Sequence, residues 1–180
     1  MCSWDAITSP AWSTIEGYLA ELRTRGPDLD EGVERYLSEA LRAYQSNLYY
    51  SAMAMLGCSS ERAIVLLMEA FLTSIDNEAN QSKLRQKLSG RDISMAYEKF
   101  KASFDSTRKQ VNDPDIVHDF DMHVDAVFTF IRLLRNSIMH PTAMPNITNA
   151  LIYSNLQQFS YYIETVFKLT SYYQNNKTTL

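Results

Sequence analysis

The sequence predicts an all-α protein, an up-and-down bundle of about five helices, on three observations. Apolar residues recur at the spacings of amphipathic helices through most of the chain. Glycine and proline are scarce, with 5 of each in 180 residues, so the chain has few of the turns that a β architecture requires. Leucine, alanine, glutamate and 8 methionines, all residues that favour helices, are abundant.

Composition also bounds the size and location of the protein. A chain of 180 residues with 46% hydrophobic and 21% charged residues can bury one core, so we expect a single domain over residues 1–180. We find no leader peptide and no apolar run of membrane-spanning length. Cys2 and Cys58 provide neither a disulfide framework nor a metal-binding spacing. We therefore expect a cytoplasmic protein without cofactors or membrane contacts.

The predicted elements follow from apolar periodicity and from capping residues. An arm of residues 1–8 precedes Ser9 and Pro10, which form a typical helix opening. Asn146 is the expected N-cap of the last helix, and residues 174–180 are expected to form a frayed polar tail. In chain order we predict helices over residues 9–23, 30–44, 47–75, 93–110, 125–140 and 146–173.

The longest apolar tract lies in residues 47–75. Its helical phase continues through Gly57, so we expect one unbroken helix although an internal glycine costs roughly 1 kcal/mol. Ser59, Ser60 and Glu61 could form a polar site, but a packing stripe of small residues with a solvated edge explains them more simply. The pattern leaves open whether this helix continues from the preceding one.

Residues 76–90 contain the only locally basic stretch, with Lys83, Arg85 and Lys87. These side chains are candidates for contacting an RNA backbone, but a solvated loop or short helix is the simpler interpretation because no aromatic residue interleaves to stack a base. The net charge of -4 also argues against extensive phosphate binding. Any RNA site must therefore be local, and no DNA binding is expected.

Two histidines and three aspartates between residues 117 and 125 suggest a metal site at first sight. However, His118 and His123 are five residues apart, so they do not share a helix face as the histidines of a zinc-binding helix do. We favour an acidic first turn that complements the helix dipole, and no metal ligands are assigned.

The strongest functional signal lies in residues 125–141, DAVFTFIRLLRNSIMHP. Pro141 disfavours helical angles at His140, so the helix should end there with the imidazole at its carboxyl end. Asn136 and His140 are four residues apart on one face, and Arg135 lies beside that face. The three side chains can therefore converge, with Arg132 one turn earlier as a supplementary cation.

Residues 135–140, RNSIMH, resemble the signature of the HEPN superfamily, in which an arginine and usually a polar residue precede a histidine by four to six intervening positions. The resemblance implies a helical bundle that forms a homodimer, with the Arg and His of both subunits at the two-fold interface. In many members this arrangement is a metal-independent endoribonuclease of toxin-antitoxin, phage-defence or RNA-processing systems.

By this resemblance, His140 would act as general base or general acid, Arg135 would bind the scissile phosphate, and Asn136 would orient either group. Other members are non-catalytic, so the alternative is a dimeric adaptor or a module that binds an antitoxin, an effector or a defence-complex protein. In that case Arg135 would pair with acids of a neighbouring helix, and His140 would only close its own helix.

Overall fold

A computed structural model of the protein describes residues 14–26, 29–90, 92–140 and 145–180. The protein is all-helical, which confirms the predicted class, and the described residues contain no β-strand. The predicted arm of residues 1–8 and the helix opening at Ser9 and Pro10 lie outside the described residues, as does Pro141.

The described helices outnumber the five or so that the sequence predicts, partly because residues 78–88 form a helix of their own, capped by Asn77. In chain order they are α1 (Ile15–Arg25), α2 (Glu31–Gln45), α3 (Tyr49–Ser74), α4 (Glu78–Leu88), α5 (Ile93–Thr107), α6 (Pro114–Asp119), α7 (Ala126–Met139) and α8 (Asn149–Asn175). A π-helical stretch, Phe120–Asp125, joins α6 to α7. In the described parts of the chain, no helix combines the length and apolarity needed to cross a bilayer.

Helix α3 is the central element and packs against α2, α7 and α8. It is separate from α2, because Asn47 adopts a positive φ of 59°, a left-handed conformation that asparagine tolerates better than most residues. The Leu48 amide closes the turn by donating to the Ala43 carbonyl at 2.8 Å. Ser59 is buried against α2, and its hydroxyl donates to the Val33 carbonyl at 2.8 Å.

Helix α8 runs parallel to α3 and is fixed to it by aromatic side chains. The buried Tyr162 hydroxyl donates to the Ser60 carbonyl at 2.6 Å, and the rings of Phe71 and Tyr173 meet edge to face at 5.0 Å. The predicted cap at Asn146 is wrong: α8 begins after Thr148, whose side chain accepts from the Leu151 amide at 3.2 Å. A hydroxyl cap satisfies one of the amides that the first helical turn leaves unpaired.

The prediction of a frayed tail over residues 174–180 is also wrong. Helix α8 continues to Asn175, and Thr178 is 2% exposed because it forms a parallel bridge with Ile75. The Thr178 amide donates to the Ser74 carbonyl at 2.9 Å. The Gln110 side chain pairs with the Thr179 backbone through bonds of 2.7 and 2.9 Å. Polar residues therefore hold the tail in place through hydrogen bonds.

Candidate functional site

Helix α7 places the stem of Arg135 against α3. Val127, Phe128 and Ile131 face the core of the protein, and Arg135 is one turn beyond Ile131, on the flank of that buried face. A β-carbon on Gly57 would lie 2.7 Å from Arg135 Cγ and 2.8 Å from its Cβ. Because Gly57 has no side chain, α7 can approach α3 closely at this point.

The guanidinium of Arg135 is held at two points. Its Nη2 donates to Glu61 Oε2 of α3 at 2.7 Å, and its Nη1 donates to Asn136 Oδ1 at 2.9 Å. The Arg135 side chain is 26% exposed and that of Glu61 only 16%. A guanidinium has five N–H groups, so Arg135 retains donors that could bind an anion.

Glu61 is an incompletely satisfied carboxylate. Its Oε1 atom is buried without a hydrogen-bond partner among the described residues. Burial raises the pKa of Glu61, while the positive charges of Arg135 and Arg132 act in the opposite direction. Burial therefore outweighs the ion pair, and the ionised carboxylate is held at a net electrostatic cost.

His140 follows the last residue of α7 and is exposed. Its backbone amide donates to the Asn136 carbonyl at 2.9 Å, which gives the last turn of the helix a regular end. In the described part of the chain, no side-chain bond engages the imidazole. His140 is thus open to solvent or to a partner, whereas Arg135 is held against α3.

The two residues of the motif do not converge within one chain. At about 100° per residue, five positions place Arg135 and His140 about 140° apart around the helix. Arg135 faces α3, and His140 belongs to the outward face. Asn136 lies between them and bonds to Arg135 through its side chain and to His140 through its backbone.

The outward face of α7 presents apolar residues to solvent. Phe130 is 46% exposed and Leu133 is 55% exposed, although large apolar side chains are usually buried in a monomer. These two residues belong to a row with successive spacings of four, three, four and three, which we call the α7 seam. The α7 seam consists of Ala126, Phe130, Leu133, Ser137 and His140.

The other predicted phosphate ligands divide into a near and a distant group. Arg132 lies one turn before Arg135, is partly exposed, and is close enough to Glu61 to act on its pKa. Lys83, Arg85 and Lys87 are exposed on α4. That helix meets α3 near Leu72, whose carbonyl accepts from the Gln81 side chain at 3.1 Å.

Eleven residues separate Glu61 from Leu72, which corresponds to about 16 Å along a helix axis. The structure therefore does not bring the basic residues of α4 together with Arg135. Arg85 instead borders a mostly apolar groove of about 470 Å³ between α3, α4 and α5.

His118 and His123 also lie apart from the motif. His118 is largely exposed, and His123 belongs to the π-helical stretch, where its ring stacks on Tyr161 with centroids 5.4 Å apart. Among the described residues, no three histidine, cysteine or acidic side chains are grouped closely enough to hold a metal ion.

Glu61 and Gly57 are the parts of the site that the sequence interpretation did not assign. The sequence pattern groups Glu61 with Ser59 and Ser60, at the solvated edge of a packing stripe. A signal was present nevertheless, because a glycine inside a long apolar helix, followed four residues later by an acid, places a gap and a charge on one face. Arg135, however, is 74 residues away from Glu61 in the chain.

No protein-family model matches this chain, and neither a curated protein nor a solved structure is similar enough to it to be identified as a relative.

Proposed function

We propose that this protein is a metal-independent endoribonuclease of the HEPN type, which acts as a homodimer with a composite site at the two-fold interface. The observation that carries the proposal is the α7 seam, a row in which exposed Phe130 and Leu133 are followed by Ser137 and an exposed histidine. Alternating spacings of four and three are those of helices that pair along a seam. Pairing of two seams would bury Phe130 and Leu133 of both subunits.

A dimer would bring the His140 imidazoles of two chains together along the paired seams. Arg135 lies on the opposite side of α7, against α3, so the proposed site requires the exposed part of each guanidinium to reach the edge of the interface, near His140 of the other copy. This arrangement fits the expectation from the HEPN signature, in which both subunits contribute to the site.

In the proposed reaction, neutral His140 of one subunit removes the proton from a ribose 2′-hydroxyl, and the 2′-oxygen attacks the adjacent phosphorus. The bond from phosphorus to the 5′-oxygen breaks, and protonated His140 of the partner subunit donates a proton to the leaving oxygen. Arg135 stabilises the added negative charge of the pentacoordinate transition state. The products are a 2′,3′-cyclic phosphate and a 5′-hydroxyl, which retain all the atoms of the substrate.

The charge of the protein limits how RNA could bind. With a net charge of -4, long-range attraction to RNA would be weak. Attraction would then depend on the two cations of α7, Arg132 and Arg135. Lys83, Arg85 and Lys87 could bind only a substrate long enough to reach from the seam to α4.

A non-catalytic adaptor is the second candidate, and one observation favours it. Arg135 is already bound to Glu61 and Asn136, which is the contact expected of a structural arginine. In this case the α7 seam would still bind a second copy, and the dimer would present a surface to an antitoxin, an effector or a defence-complex protein.

RNA cleavage in the presence of EDTA separates the two candidates. The wild-type protein should cleave a labelled RNA oligonucleotide to a 2′,3′-cyclic phosphate, which mass spectrometry identifies. We expect His140→Ala to lower the rate by at least about 100-fold, because general acid-base catalysis contributes 10²–10⁴-fold. His118→Ala is the matched control, since His118 is also exposed but lies away from the motif.

Light scattering should show that His140→Ala retains the mass of a dimer, while Leu133→Glu becomes monomeric and inactive. Equal rates for the wild type and His140→Ala would eliminate the enzyme. A dimeric wild type without cleavage would favour the adaptor.

A further inference from the structure

The internal glycine of α3 has a specific neighbour. Glycine is an unfavourable residue inside a helix, so a position that requires it usually has a close contact to accommodate. At Gly57 that contact is the aliphatic stem of Arg135, with distances of 2.7 and 2.8 Å from the place of a β-carbon. The Cβ atom is fixed to the backbone of α7 and could move away only if α7 moved, whereas Cγ could move only through a change of the Arg135 χ1 rotamer.

Glu61 holds the other end of the same side chain. It lies four residues after Gly57, on the same face of α3, and its Oε2 accepts from Arg135 Nη2 at 2.7 Å. Gly57 therefore fixes the path of the stem, and Glu61 fixes the direction of the guanidinium. We call Gly57 and Glu61 the arginine cradle.

The Glu61 carboxylate is poorly arranged for stabilising the fold. One of its oxygens is buried without a partner among the described residues, and its pKa is raised by burial in spite of two nearby arginines. A carboxylate whose role was stability would be expected to have both oxygens bonded. The arrangement is better explained if the Glu61 carboxylate serves to orient the Arg135 guanidinium.

We propose that Gly57 and Glu61 are positioning residues, which hold the Arg135 guanidinium in the orientation that binds the scissile phosphate. This inference rests on the proposed ribonuclease function and adds two residues to the same site. Neither residue touches the RNA; both act through Arg135. Because a displaced guanidinium loses contacts that strengthen in the transition state, their loss lowers kcat more than it raises KM.

The test combines kinetics with a direct signal from the arginine. The variants are Gly57→Ala, Glu61→Ala and Glu61→Gln, and the side-chain Nε–H resonance of Arg135 is identified in ¹⁵N spectra by its absence from Arg135→Lys. The matched control is Glu164→Gln, because Glu164 accepts from Arg25 at 2.8 Å and is 25% exposed. Circular dichroism confirms that each variant is folded.

Gly57→Ala and Glu61→Ala should each shift or broaden the Arg135 resonance and lower kcat by about 10- to 100-fold, since a misplacement of about 1 Å can cost 100-fold. Glu61→Gln should lower kcat by less, because the amide oxygen of glutamine can still accept a hydrogen bond from Arg135 Nη2. Glu164→Gln should change neither quantity. If Gly57→Ala fails to fold, Glu61→Ala decides the question alone.

A non-cleavable 2′-O-methyl RNA separates failure of the cradle from failure of the enzyme. It should shift the Arg135 resonance of the wild type, with weaker binding by the two alanine variants. A wild type that binds this RNA without cleaving RNA would refute the proposed function and leave the cradle to be judged by the resonance. Unchanged Arg135 resonances and RNA affinities in both alanine variants would overturn the cradle.

Discussion

Two adjacent residues of α3, Glu61 and Arg62, form ion pairs on different sides of the helix, and the pairs are built differently. Arg62 binds Asp30 through two parallel bonds, from Nε to Oδ1 and from Nη2 to Oδ2, both 3.0 Å long. Asp30 Oδ1 also accepts from the Val33 amide at 3.1 Å and so caps α2. Glu61 has one bond, and its second oxygen is buried without a partner among the described residues.

The difference is reflected in the pKa values of the two acids. The hydrogen bond from Arg62 lowers the pKa of Asp30, whereas burial raises the pKa of Glu61. The Asp30 pair therefore stabilises the fold, while the Glu61 pair holds an arginine at an energetic cost. An electrostatic cost of this kind is common where a protein positions a functional group.

The largest difference between the pairs should be in RNA cleavage. We expect Arg135→Ala to lower kcat by about 100- to 1,000-fold, the usual effect of removing one group that stabilises transition-state charge. Arg62→Ala should retain the wild-type rate within about twofold, since Arg62 serves the cap of α2. Equal decreases in the single-turnover rates of Arg135→Ala and Arg62→Ala would contradict the functional distinction between the two ion pairs.

The second difference should be in stability. Asp30→Ala removes a helix cap and a bidentate pair, and should lower the free energy of unfolding by about 1–2 kcal/mol. Glu61→Gln keeps an acceptor for Arg135 and removes the charge from a buried oxygen, so we expect a change of no more than about 0.5 kcal/mol. Urea unfolding at pH 7 measures both.

Asp30→Ser is the control for this measurement, because serine can cap α2 but cannot pair with Arg62. If Glu61→Gln lost as much stability as Asp30→Ala, the Glu61 pair would be a structural one.

The smallest difference should be in the dependence of stability on pH. The pKa of Asp30 is lower in the folded than in the unfolded chain, so its stabilisation is full above about pH 4 and is lost as pH falls through the folded value. Glu61 affects stability in the opposite direction. Its ionised carboxylate destabilises the folded protein above its raised pKa, and this destabilisation disappears as pH falls towards 4.5, the ordinary pKa of glutamate.

Urea unfolding at pH 7, 5, 4 and 3 should therefore show opposite trends for the matched amides. The wild type should be more stable than Asp30→Asn, and this difference should shrink only below about pH 4. In contrast, the stability of the wild type relative to Glu61→Gln should rise as pH falls from 7 to about 4. Parallel trends for the two variants would contradict the assignment of the two pairs.

The sequence was sufficient to predict the helical class and most of the helix positions, because apolar periodicity is a local property. Helix α3 was predicted over residues 47–75 and spans Tyr49–Ser74. The path of the tail could not be predicted, because backbone bonds between Thr178 and the end of α3 leave no pattern in a polar sequence.

The candidate site was predictable only in part. The position of His140 at the end of its helix follows from Pro141 and is confirmed, since α7 ends at Met139. The direction of Arg135 towards α3 depends on Gly57 and Glu61, which lie far away in the chain. The HEPN resemblance and the ribonuclease activity stay predictions.

The hydrogen bonds of Thr178 affect how the protein unfolds locally. The ends of α3 and α5 both bond to the tail that follows α8, through Thr178 with Ser74 and Asp76 and through Thr179 with Gln110. The tail after α8 is bonded to both of the other ends, so its release breaks the hydrogen bonds of all three. We therefore expect this corner of the molecule to unfold as one cooperative unit, with its amides exchanging with solvent at similar rates.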